Sequence, residues 1–132
     1  MNLKETIAEG IQQFAERAGA SLTQEGDITF EVRFPGEDYP AIIGIEGFGT
    51  VLSYATFCGS LPDAELAPTL LQRNWGGVES TCFYFSVNVD EVPWLILETR
   101  QILYPGATSG GVASVLDFWR IQCLQAKESL KH

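Results

Sequence analysis

Side chains able to hold a metal, move a proton or attack a carbonyl do not cluster anywhere in this chain. The only histidine is His132, the last residue, and terminal positions are seldom held in one geometry. That excludes Ser-His-Asp and Cys-His arrangements. Cys58, Cys82 and Cys123 are odd in number and far apart, with no Cys-x-x-Cys pair among them. Zinc-ligand spacing is therefore absent, and the three read as reduced thiols packed as small hydrophobes. Two carboxylate pairs, Glu37-Asp38 and Asp90-Glu91, are adjacent as acid and base partners can be. Both fall in turns, where water surrounds them, whereas acid–base work needs a pocket that drives two pKa values apart. Gly76-Gly77 and Gly110-Gly111 lack the downstream lysine of a phosphate loop. Gly110-Gly111 does precede a helix, whose N-terminus offers at most a weak anion contact. The sequence thus points to no catalytic residue, no metal and no cofactor, and to a protein that is not an enzyme.

The elements that would position any site follow from hydrophobic periodicity. Leu3, Ile7, Ile11, Phe14 and Ala18 form a helical stripe that Gly19 ends. Ile28, Phe30, Val32 and Phe34 alternate with polar residues as a strand with one buried face. Ala41 to Glu46 and Thr50 to Cys58 read as a hairpin around Gly47-Phe48-Gly49. A turn at Leu61 to Leu66 and a helix from Ala67 to Trp75 come next, with Pro68 in its first turn. Phe83 to Val89 and Val92 to Arg100 are two more strands, joined at Asp90-Glu91. After Tyr104-Pro105-Gly106, a cap at Thr108 or Ser109 opens a last helix whose inner stripe is Val112, Val115, Leu116, Trp119, Cys123 and Ala126. Phe118, Ile121 and Leu124 lie off that stripe, so this helix is either deeply buried or touches something besides its own core.

This order, αβββαββα, predicts an α+β fold: a five-stranded mainly antiparallel sheet with helices one and three packed on it. Residues 1–132 make one domain, with Ile28, Phe30, Val32, Phe34, Val115, Leu116 and Trp119 in the core. Hydrophobic residues are 45% of the chain and charged residues 19%, which suits a packed interior and argues against disorder. The net charge is −9. Residues 1–90 carry 13 acidic and 4 basic side chains and the remainder 4 of each, so the whole excess lies in the first two thirds. Such a field repels phosphate backbones and anionic membranes, which leaves another protein as the expected partner. With no signal peptide or spanning segment at its start, the chain is expected in the cytoplasm.

The stretch Phe57-Cys58-Gly59-Ser60-Leu61-Pro62, running into Leu70-Leu71-Gln72-Arg73-Asn74, resembles the strand, Leu-Pro turn and Leu-Leu-x-x-Asn helix of the class I type III secretion chaperones, the Tir-chaperone-like family. The same turn and helix are similar to those of YbjN-like domains. The resemblance to the chaperones covers nearly the whole chain and implies a homodimer that holds an extended segment of a secreted effector without ATP. The YbjN-like alternative implies a regulatory or ligand-binding domain.

Within that reading, Leu70, Leu71, Trp75, Phe83 and Phe85 are the expected dimer contact. A client segment is expected to add to the strand Asp27 to Phe34 as a sheet edge, its side chains entering pockets lined by Leu3, Ile7, Ile42, Leu52 and Tyr54.

Overall fold

The computed structural model describes residues 2–47, 50–60, 83–89 and 92–129; for residues 58–60, 83–89, 92, 93, 95, 126 and 129 only the backbone enters the description. Helix α1 spans Leu3–Arg17. It opens on Asn2, whose side-chain oxygen accepts a hydrogen bond from the Glu5 amide at 2.8 Å, the expected use of an N-cap asparagine. It closes as a Schellman turn: the Gly19 amide donates to the Glu16 carbonyl and the Ala20 amide to that of Ala15, at 3.1 and 2.9 Å. Gly19 sits at φ +64°, where a side chain would be strained.

Six strands follow: β1 (Ser21–Glu25), β2 (Thr29–Arg33), β3 (Ala41–Glu46), β4 (Val51–Ser60), β5 (Phe83–Val89) and β6 (Val92–Ile102). They form one antiparallel sheet in the order β1-β2-β3-β4-β6-β5. Helix α2 (Ser109–Ser129) completes the described chain, with Thr108 Oγ1 accepting from the Gly111 amide at 3.0 Å as its cap. The α+β class, the antiparallel sheet and both helices expected from periodicity are present. The segment expected as a turn and helix from Leu61 to Trp75 lies outside the described residues.

Two differences concern the first hairpin. Strand β1 pairs along β2, with Ser21 opposite Arg33 and Glu25 opposite Thr29, so the strand expected as an edge is interior and β1 occupies its free side. Only Leu22 of β1 packs against the core, and one apolar residue in five leaves no period to detect. Ile28, expected in the core, is exposed because it lies between the paired ends of β1 and β2, and its carbonyl accepts from the Ile45 amide at 2.9 Å.

Both helices lie on one face of the sheet. Ile7, Ile11 and Phe14 of α1 and Val112, Leu116, Trp119 and Cys123 of α2 close over Phe30, Val32, Ile43, Leu52, Tyr54 and Leu97, all buried. Tyr54 is the hub. Its ring stands 6.5 Å from Phe14 and 6.4 Å from Trp119, so one β4 side chain touches both helices at aromatic contact distance.

Candidate interaction surface

The opposite face of the sheet carries no helix among the described residues, and its side chains follow from strand alternation. Register aligns Thr23, Glu31, Ile42, Ala55 and Glu98 in one row across five strands. The neighbouring row is Glu25, Thr29, Gly44, Ser53 and Arg100. Charged residues in and beside these rows pair on the surface: Arg33 with Glu31 at 2.7 Å, and Arg100 with Glu98 at 2.7 Å and Glu46 at 3.3 Å. Exposed pairs of this kind add little stability, but they leave the middle of the face polar.

One corner is different. Between Phe57 and Gly59 the β4–β6 register shifts, the mark of a bulge, which re-aims neighbouring side chains. Beside it Tyr39, Phe57 and Trp94 pack in a triangle, with centroids 5.6, 6.0 and 6.2 Å apart. Their rings touch one another, so no space remains between them for a cation. Ile42 and Ile96 adjoin this cluster through the pairings Ile42–Ala55 and Phe57–Ile96, and Ile42 is 37% exposed. The corner is a half-buried apolar surface beside a polar field.

The five residues expected to line client pockets divide between the two faces. Ile7, Leu52 and Tyr54 are closed within the core and Leu3 packs at its margin, whereas Ile42 stands on the helix-free face. A client would reach Ile7, Leu52 or Tyr54 only by displacing a helix. The edge proposed for Asp27 to Phe34 moves to β1, a short polar strand of the kind that blunts a sheet edge. Among the residues expected at a dimer contact, Leu70, Leu71 and Trp75 lie outside the described residues. Phe83 and Phe85 belong to β5, at the other end of the sheet from β1, and pair with Glu98 and Ile96.

The aromatic corner was not anticipated, because Tyr39 sits in a turn and Trp94 beside Pro93, and no linear spacing connects them. A depression of about 340 Å³ at the start of α2 is lined by Ile102, Leu103, Tyr104, Thr108, Val112 and Val115. It holds no converging acid, base or nucleophile. Among the described residues no group of histidine, cysteine and carboxylate side chains is arranged to hold a metal ion, and no helix is long and apolar enough to cross a membrane.

With the geometry in hand, the comparisons concern fold. No known family profile matches the chain, and no curated protein matches its sequence. Solved structures do match. YbjN from E. coli, a candidate transcription regulator, is 18% identical with a TM-score of 0.67 over 91% of this chain and 87% of its own. The Yersinia pestis type III secretion chaperone SycH, solved in complex with a stable fragment of YscM2, is 15% identical with a TM-score of 0.61 over 95% of this chain and 99% of its own. The chain therefore has the α+β fold seen in both kinds of protein its sequence resembles.

Proposed function

We propose that this protein is a chaperone that, as a homodimer in the cytoplasm, holds an extended segment of a secreted effector for type III secretion. The observation that carries the reading is that, among the described residues, the sheet ends at β1 and its second face bears no helix but exposed Ile42 and the aromatic corner. One stretch of an extended segment adds main-chain hydrogen bonds along such an edge, and a further stretch crossing the face lays apolar side chains on Ile42 and the corner, which lie two or more strands in from β1. The fold shared with SycH supports this reading. The acidic balance favours a basic or neutral protein segment over nucleic acid or membrane.

A YbjN-like regulatory or ligand-binding role is the second reading, favoured by the higher TM-score of YbjN. Calorimetric titration of the full chain with synthetic N-terminal segments of proteins encoded beside its gene separates the two. The chaperone reading expects saturable binding that Ile42→Asp weakens at least tenfold with circular dichroism unchanged. Absence of binding to every such segment overturns it.

A further inference from the structure

The chain between β2 and β3 passes from one face of the sheet to the other. Phe34 at its start is buried under the helices, 5.9 Å from Phe14, whereas Tyr39 near its end packs on Phe57 and Trp94 in the corner of the opposite face. No strand pairing holds this loop, since β2 ends at Arg33 and β3 begins at Ala41. Its first half is a turn in which the Glu37 amide donates to the Phe34 carbonyl at 3.2 Å. Gly36 stands at φ +77° after Pro35, the type II arrangement.

Helix α2 holds the loop at two points. Arg120 stacks on Phe34, its guanidinium 4.1 Å from the ring centre, and donates to the Glu37 carboxylate at 3.4 Å. Further along the helix, Lys127 Nζ donates to Thr56 Oγ1 at 3.5 Å. The Thr56 hydroxyl, in a residue only 5% exposed, stands 3.3 Å from the Pro40 carbonyl oxygen and 3.5 Å from that of Phe57. Glu37 and Pro40 lie on either side of Tyr39 in the chain, so both anchors bracket the residue that crosses to the helix-free face.

We infer that Arg120 and Thr56 are positioning residues for the aromatic corner: from the helix side of the sheet they set whether Tyr39 closes on Trp94 and Phe57. The inference rests on the client reading above and deepens it, because the corner is the apolar part of that surface. One edge-to-face ring contact is too weak to order an unpaired loop against the entropy of its residues. The two anchors supply the rest, and without them the corner loses the wall that Tyr39 provides. The coupling runs both ways, as it must when two interactions favour one arrangement. A client seated on the corner therefore strengthens the hold of α2 on the loop.

Proton NMR of the full chain tests this. The Tyr39 ring signals are expected to be displaced by the ring currents of Trp94 and Phe57, and Trp94→Leu assigns them. Thr56→Val, which keeps the side-chain shape and removes the hydroxyl, and Arg120→Ala are expected to return them toward ordinary tyrosine positions. Thr56→Ser, which retains the hydroxyl, is expected to keep the displacement. The Tyr54 and Trp119 signals of the core stay unchanged in each case. Both loosening variants are expected to weaken calorimetric binding of an effector segment by about fivefold or more, and Thr56→Ser to leave it as in the wild type. Tyr39 signals that stay displaced in Thr56→Val and Arg120→Ala overturn the inference. If Arg120→Ala also disturbs the core signals, Thr56→Val against Thr56→Ser decides, and equal Tyr39 signals in those two overturn it. Loosened Tyr39 signals with undiminished segment binding support the positioning role and overturn the corner as a client surface.

Discussion

Gly10 on α1 lies so close to Val112 on α2 that a β-carbon at position 10 would stand 2.6 Å from Val112 Cβ and 2.8 Å from the Ser109 carbonyl oxygen. Real side chains do not approach that closely, so glycine is what lets the two helices meet. The Gln13 amide donates to Ser109 Oγ at 3.2 Å one turn further on, and Arg17 and Asp117 close the far end of the same seam. Gly10→Ala forces the helices apart and is expected to lower unfolding free energy by about 1–3 kcal/mol, despite alanine's better helix propensity. Urea denaturation measures the loss; unchanged or raised stability would show that the seam is looser than described.

Leu52 and Ile42 lie on neighbouring strands and point to opposite faces of the sheet. Leu52 is fully buried, so Leu52→Asp places a carboxylate among apolar groups without a partner and is expected to unfold the domain. Ile42→Asp is expected to cost less, about 1–2 kcal/mol, because Ile42 is already 37% exposed on the helix-free side, although Glu31 stands opposite it. Thermal melts of the two variants distinguish them, and equal effects would mean that the faces are not separated as the register places them.

Arg120 links α2 to the loop after β2 by stacking on Phe34, with its Nε buried and lacking a hydrogen-bond partner. A planar guanidinium is needed for that stack, so Arg120→Lys loses it while retaining the charge opposite Glu37. The expected cost is about 1 kcal/mol, in the range of a partly desolvated cation–aromatic contact. Chemical denaturation in low and high salt checks the cause. A loss insensitive to salt fits the stack, whereas one that vanishes in salt assigns it to the Glu37 pair.

Legibility in the sequence followed the strength of local pattern. The α1 stripe, the β3–β4 hairpin, the β5 and β6 strands and the inner face of α2 each carry several periodic apolar residues, and each was placed within a few positions. Strand β1 escaped because Leu22 is its single inward residue, although Gly19 and Gly26, both at positive φ, bracket it as chain reversals do. That omission moved the free edge by one strand. Burial was harder to assign than structure type: Ile42, Leu52 and Tyr54 are alike in composition, and only pairing register decides which of them the helices cover. The outer stripe of α2 was visible as apolar residues off the main face, but whether it was buried required the position of α1.

The β1 edge makes a prediction that needs no knowledge of the client's side chains. Amide groups along an antiparallel strand alternate between the partner side and the free side, so adjacent residues Thr23 and Gln24 differ in which way their N–H points. Proline removes that donor. Of Thr23→Pro and Gln24→Pro, one therefore breaks a bond to β2 and is expected to lower stability by about 1 kcal/mol or more. The other removes only an outward donor and is expected to fold normally while binding an effector segment at least tenfold more weakly. Paired thermal melts and calorimetry on both variants read the split. Two stable variants that bind as wild type would take the client away from β1 and leave the helix-free face around Ile42 and Trp94 to hold it alone.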